Sequence, residues 1–384
     1  MANLARKELK TKTTKAPRPP IPRPVESMLW GRAAGRCEFR GCNRPVYKSG
    51  VTQEAVNVAE KAHIRAFSKA GPRGGPAGDG DVDSIDNLML VCHDCHAKID
   101  KNVDRYPDAL LREMKAEHER RISVVTAIDP QRQSTVLMYG ASIGAENSPI
   151  DRVLAQSAMF PARYPATEDP IVVSMRWEGR DDDPAYWDTQ ATDLRKGFER
   201  NVRPRIEEVK HWSVFGFAPM PLLMLLGTLL TDKVNADVYQ LRREPTMRWD
   251  WDDDPVDTEF RIVPPRRVAG RPALVVSLSA RIDHRRVHDA VGDDVAIWEL
   301  TIEEPHNDFL VSAAQLSGFR GAARKAIGDI AEAHGHAAPL MIFPAMPVAT
   351  AVELGRIRMP KADCLWEIFD YQQKRNGFVR AITI

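Results

Sequence analysis

Along the 384 residues the spacing of apolar and polar positions changes character several times. Residues 107–125, PDALLREMKAEHERRISVV, place Leu110, Leu111, Met114, His118 and Ile122 at helical spacing, and Pro107 suits the first turn of that helix. Between 126 and 165 the segment reads as a linker. From about residue 166 strand-like and helix-like segments alternate. Two stretches there share one order: WSVFGFAPMPLLMLLGTLL (212–230) and PLMIFPAMPVATAVELGRI (339–357). Each is an apolar run, a turn built on Phe, Met and Pro, and an apolar helix. A further strand-like run follows each, ADVYQL and CLWEIF. Strand–turn–helix–strand occurring twice predicts two βαβ-type halves with largely parallel sheets.

The pattern divides the chain into a basic, Pro-rich arm (1–25), a first module (26–125), a linker (126–165) and an α/β region (166–384). The length allows two or three domains with real cores. MPLLMLLGTLL, the longest apolar run, is about half of what a bilayer span requires. The arm has no apolar core and does not read as a secretory signal. A flexible arm, no membrane partner and a cytoplasmic location are the expectations. Net charge is only +1, but it is unevenly spread: residues 1–130 hold 23 Lys+Arg against 17 Asp+Glu. A basic front part is compatible with a polyanionic partner, although solvated surface charge has the same signature.

Four of the five cysteines fall within 59 residues as two pairs, Cys37/Cys42 and Cys92/Cys95. Clustered cysteines in a cytosolic chain favour metal over disulfide, and four thiolates suit a closed, structural Zn²⁺ site. Reduced core cysteines are the competing account. Cys92-x-x-Cys95 should open a helix. On that helix His96 and Asp100, four apart, share a face.

With His63 in AEKAHIRAFS and Asn87 in DNLMLVCHDCHAKID, this stretch resembles the zinc-supported HNH, or ββα-metal, nuclease motif over roughly residues 29–105. The order His63, Asn87, His96 matches the motif, and the loop GPRGGPAGDGDVDSID separates its first two members. The resemblance implies an α+β nuclease module in which His63 is the general base taking a proton from water. Asn87 would orient His63 or brace the hairpin. His96 would bind one divalent ion, Mg²⁺ or a similar metal, with Asp100 a weaker candidate. Many members place a metal-binding Asp or His directly before the base, where this chain has Ala62.

Residues from about 150 to 384 resemble the SAVED sensor domain fused to effector nucleases in bacterial CBASS anti-phage systems. HWSVFGFAPMPLLMLLG, PALVVSLSA and FPAMPVATAVELG carry the likeness. It implies an α/β fold of two CARF-like halves and a cyclic di- or trinucleotide activator made by a partner nucleotidyltransferase. In open α/β sheets ligands sit beyond the carboxyl ends of the strands, which points to Phe215, Pro219 and Pro347. Bases favour aromatic or guanidinium faces, which adds Arg243, Arg248, Trp249 and Trp251. Packing of a domain edge is the competing role for the tryptophans.

The expected protein is a ligand-gated, metal-dependent endonuclease cutting double-stranded DNA in abortive infection, active as a ligand-induced homo-oligomer. A non-catalytic zinc module that binds nucleic acid, joined to a nucleotide sensor, is the alternative. A separate enzyme in the C-terminal region ranks last, since the chain has no P-loop and no GxGxxG with a suitable acidic residue.

Overall fold

The computed structural model describes residues 20–66, 71–74, 82–143, 150–174, 183, 185–252 and 257–384. Most of the expected arm, residues 1–19, lies outside them. The chain forms two units, Met1–Ala127 and Ile128–Ile384.

The first unit contains α1 (Arg23–Ala33), the antiparallel pair β1 (Ala59–His63) and β2 (Leu88–Cys92), then α2 (His93–Lys101) and α3 (Asp108–Thr126). The helix α1 starts inside the segment expected to be arm. Pro22 at its N-cap and Pro24 in its first turn explain the early start, because proline supplies a helical φ and needs no amide partner there. The α3 pattern behaves as expected: Leu111, Met114 and His118 are buried and Pro107 caps the helix. All five residues of β2 are buried, and with Leu29, Ile64 and Ile99 they form the core beneath the hairpin. His118 sits in that core with Nε2 3.1 Å from the Ala33 carbonyl, tying α3 to the end of α1. Burial lowers the pKa of its imidazole.

The second unit runs β3 (Gln133–Gly140), α4 (Arg152–Ser157), β4 (Tyr164–Pro165), β5 (Ile171–Ser174), α5 (Tyr186–Asn201), β6 (Trp212–Phe217), α6 (Met220–Leu230) and β7 (Ala236–Tyr239). It continues β8 (Arg261–Val263), β9 (Arg271–Ser277), α7 (His284–Val291), β10 (Val295–Thr301), α8 (Ala313–His334), β11 (Leu340–Ala345), α9 (Val348–Ile357), β12 (Trp366–Gln372) and β13 (Gly377–Thr383). One sheet has the order β4-β3-β6-β7, with β5 also on β3, and every pairing in it is parallel. The other has the order β13-β12-β11-β9-β10-β8, parallel except for its two edge strands.

The expected linker at 126–165 contains β3, α4 and β4. Its STVLMYG run is β3, which pairs with three other strands. A strand buried on both faces carries no alternation, and a short apolar run gives little periodicity to detect.

The repeat read from the sequence is present in three dimensions. β6–α6–β7 and β11–α9–β12 are both parallel βαβ units. Their helices cross at two glycines. A Cβ on Gly227 would lie 2.0 Å from the Val352 carbonyl oxygen, and one on Gly355 would lie 1.9 Å from that of Met224. The pairs Pro219/Pro347, Met224/Val352 and Gly227/Gly355 stand at one constant offset in the sequence. The contact thus has approximate two-fold symmetry, and glycine lets the two backbones touch. Arg356 on α9 strengthens the junction, donating to the carbonyls of Thr231, Val234 and Ala236 in the other half while paired to Glu353 at 2.7 Å.

Candidate metal centre and active site

The first cysteine pair sits on a tight knuckle. Gly41 takes φ +82°, which L-residues rarely adopt, and the Cys42 amide donates back to the Phe39 carbonyl at 2.9 Å. The second pair straddles the start of α2, with Cys92 as its N-cap and Cys95 in the first turn. The fold brings all four sulfurs within 4.8 Å of one another, with Cys42 and Cys92 Sγ 3.9 Å apart. Tetrahedral zinc with bonds of about 2.3 Å needs sulfurs about 3.8 Å apart. The donor set therefore fits one zinc ion.

The surroundings of these thiols agree with that fit. Burial pushes Cys37 up to about 12, and burial with the charge of neighbouring thiolates pushes Cys95 up as well. Burial also raises Cys42, but hydrogen bonds from the Arg44 backbone and guanidinium and from Cys37 and Cys95 outweigh it and bring it down to about 7. The Arg44 guanidinium is in turn held by Asp94 at 2.7 Å, and the Cys92 amide points at Cys37 Sγ at 3.3 Å. Such partners fix ligand orientation around a metal. Glu38, next to Cys37, accepts from the Leu90 amide at 2.6 Å and so fastens the knuckle to β2.

The hairpin presents the motif residues. His63 ends β1, nearly buried, with Nε2 2.9 Å from Asp83 Oδ1. Asn87 closes the short turn Ile85–Asn87 ahead of β2. Its carboxamide accepts from the Arg65 amide at 3.0 Å and donates to the carbonyls of Arg65 at 3.0 Å and Val82 at 2.8 Å. These three bonds tie the turn ahead of β2 to the backbone of Arg65 and Val82. Ala62, directly before His63, is buried in the core and offers no ligand atom.

His96 and Asp100 do share a face of α2, with His96 Nε2 3.4 Å from Asp100 Oδ2. The other ring nitrogen, Nδ1, lies 4.0 Å from Glu60 Oε2 on β1. His93 is largely exposed and reaches Glu60 Oε1 at 3.2 Å. Three residues escaped the sequence reading: Glu60, Asp83 and Arg73. Arg73 is almost fully buried, donating to Asp100 Oδ1 at 3.1 Å and to the carbonyls of Ile64, Ile99 and Tyr106. Its place in GPRGG looked like solvated loop. The only prior signal for Asp83 was its acidic neighbourhood.

In the second unit, Pro219 and Pro347 cap α6 and α9 just beyond the carboxyl ends of β6 and β11, as the strand–turn–helix reading requires. Gln240, also unforeseen, accepts from the Ala349 amide at 3.0 Å in the first turn of α9. Two of the residues expected to contact a ligand are buried. Phe215 is wholly buried, stacked on Tyr239 with centroids 4.4 Å apart, and Trp249 is buried edge-on against it at 5.3 Å. Both fill the core on one side of β6. Trp251 is partly buried against the main core. Arg248 is held by Asp250 and Asp252 at 3.0 and 2.9 Å, while Arg243 lies over the Phe217 ring at 5.4 Å. Among the described residues no helix is long and apolar enough to cross a membrane.

Comparison with known proteins agrees with this division. Residues 37–103 match the family described as HNH endonuclease, and residues 194–384 match SAVED, the SMODS-associated and fused to various effectors sensor domain. No curated protein matches the chain. Similar solved structures include the Acinetobacter baumannii Cap4 SAVED/CARF-domain containing receptor with the cyclic trinucleotide 2'3'3'-cAAA, at 12% identity and TM-score 0.41, covering 75% of this chain and 61% of that one. The Moraxella osloensis Cap4 SAVED/CARF-domain containing receptor is similar at 10% identity and TM-score 0.39, covering 75% of this chain and 60% of that one. The chain thus spans about three-fifths of the length of those receptors. The chain thus carries a segment similar to an HNH endonuclease module ahead of a segment similar to a SAVED sensor domain.

Proposed function

We propose that this protein is a cyclic-oligonucleotide-activated, metal-dependent endonuclease that degrades double-stranded DNA in anti-phage abortive infection. The observation that carries the reading is the placement of His63, Asn87 and His96 on one hairpin–helix unit beside a four-thiol cluster, in a chain that also holds a SAVED domain. A purely structural zinc knuckle has no use for those three residues.

His63 is the general base. Its Nε2 contact to Asp83 gives the ring an orienting partner, the arrangement a base needs to take a proton from water. Asn87 holds the turn that positions His63 by clamping both backbone groups of Arg65. His96 is the residue toward a catalytic Mg²⁺ or similar ion, which when bound would neutralise charge developing on the phosphate. Zinc in the four-thiol site would fasten the knuckle to the start of α2, and so fix the helix that carries His96. The excess of basic residues in the first third of the chain supports a polyanionic substrate.

The SAVED domain is the sensor, taking a cyclic di- or trinucleotide from a partner nucleotidyltransferase. A nuclease without sequence selection harms its own cell, so the ligand-free state is nearly inactive. A ligand shifts an equilibrium only through differential affinity for the two states. The simplest element with such a difference is a subunit interface completed on binding, which makes the active form a ligand-induced homo-oligomer. The test is plasmid degradation with Mg²⁺ across a panel of cyclic di- and trinucleotides, run beside light scattering. Cleavage and mass should rise together for one ligand. Absence of cleavage with every ligand, by protein that binds one of them, would leave the non-catalytic zinc module; full activity at constant mass would exclude assembly.

A further inference from the structure

Position 62, where an acidic metal ligand would stand, is a buried alanine, and the geometry points to a replacement. We propose that Glu60 is the carboxylate ligand of the divalent ion at His96, and that Asp100 orients His96 instead of binding the ion. The inference deepens the nuclease reading and rests on it only for the use to which the ion is put.

Side chains on a strand alternate, so Glu60 and Ala62 project from the same face of β1. The longer Glu60 side chain brings Oε2 to 4.0 Å from His96 Nδ1. Two ligands of one Mg²⁺ at about 2.1 Å each lie about 3 Å apart in adjacent octahedral positions and about 4.2 Å apart in opposite ones. The gap between Glu60 and His96 falls within that range. Both side chains are partly exposed, which leaves further positions for water and phosphate oxygens.

The far side of the His96 ring has a different partner. Nε2 faces Asp100 at 3.4 Å, and the second oxygen of Asp100 is taken by Arg73 at 3.1 Å. Arg73 has no freedom to move away: its remaining N–H groups hold the carbonyls of Ile64 (2.7 Å), Ile99 (3.3 Å) and Tyr106 (3.4 Å). A histidine that binds metal through one nitrogen commonly donates its other N–H to a carboxylate, which sets the ring. Asp100 has that place, and its charge is already answered by Arg73. Among the described residues Glu60 is answered by the two histidines and by no cationic side chain, so its carboxylate is the one available to a cation.

The experiment uses the zinc-loaded full chain. Mn²⁺ binding is followed by the loss of the free-ion EPR signal, with zinc content and plasmid cleavage measured on the same samples. Glu60→Gln should lose Mn²⁺ binding by more than the roughly 10–100-fold typical of outer partners, and Asp100→Asn should fall within that range. Glu60→Gln combined with Ala62→Asp should recover binding. Wild-type Mn²⁺ affinity in Glu60→Gln, or its loss in Asp100→Asn alone, would overturn the assignment. So would a wild-type protein that takes up no Mn²⁺. Mn²⁺ bound through Glu60 in a protein that never cuts DNA would sink the nuclease reading and leave this one standing.

Discussion

Replacing Gly227 by Ala adds one methyl group where two helices touch backbone to backbone. The new Cβ would stand 2.0 Å from the Val352 carbonyl oxygen and 2.8 Å from the Arg356 nitrogen. A relaxed carbon–oxygen contact is about 3.3 Å, so α6 and α9 must separate by roughly 1.3 Å. The obstacle is backbone, so no side chain can swing aside to absorb the change. Overpacking of a core costs about 1–3 kcal/mol, and this contact belongs at the upper end. Alanine returns about 1 kcal/mol through helix propensity, leaving a net loss of about 2 kcal/mol. Gly355→Ala should cost the same, because its Cβ meets Met224 in the symmetric position. The double variant should cost less than the sum, since a separation forced by one methyl already makes room for the other. Seven of the eight tryptophans follow residue 128, so denaturant unfolding read by tryptophan fluorescence reports mainly on this unit. Wild-type stability in Gly227→Ala, or strict additivity in the double variant, would refute the account of the crossing.

The other predictions follow from the sites. His63→Ala should lower DNA cleavage by about 10²–10⁴-fold with zinc content and melting unchanged, as expected for loss of a general base; near-normal cleavage by folded protein rules that role out. Cys95→Ser should lose zinc and the cooperative unfolding of the first unit, because binding energy at a structural site is folding energy; metal analysis beside the melt decides it, and a full zinc equivalent with a wild-type melt contradicts four-thiol ligation. Burial raises Asp237, but His211 at 3.3 Å and Arg163 at 2.8 Å outweigh it and hold the carboxyl at about 2. Its stabilisation is thus complete above the ordinary value of 3.8 and is lost as pH falls through about 2. Because the Asp237 side chain is half-exposed, the full shift is discounted for screening to about 1 kcal/mol. Asp237→Asn should lose that amount at pH 7 and flatten the acid limb of a stability–pH curve; an unchanged limb excludes the linkage.

What could be read from the sequence was whatever local spacing fixes. The interval Cys92-x-x-Cys95 fixes a helix start with both sulfurs on its first turn, and the four-residue interval from His96 to Asp100 fixes one helix face. The paired strand–turn–helix segments carried their own punctuation in Pro219 and Pro347, so the two βαβ units were legible as well. Burial without alternation hid β3, whose run of Val136 to Tyr139 shows no two-residue period. Arg248, Trp249 and Trp251 in RWDWD were candidates for stacking on a base, with packing of a domain edge as the competing role for the tryptophans. Arg248 pairs with Asp250 and Asp252, while Trp249 turns inward onto Phe215. Long-range return of the chain was the least visible. Nothing near GPRGG shows that Arg73 ends up against the last turn of α2, yet that contact decides which carboxylate near His96 is free to bind a cation. Once Arg73 is seen to occupy Asp100, strand parity does the rest. Ala62 and Glu60 face the same way, one cannot coordinate a metal and the other can, and the motif's missing acid is supplied two residues upstream.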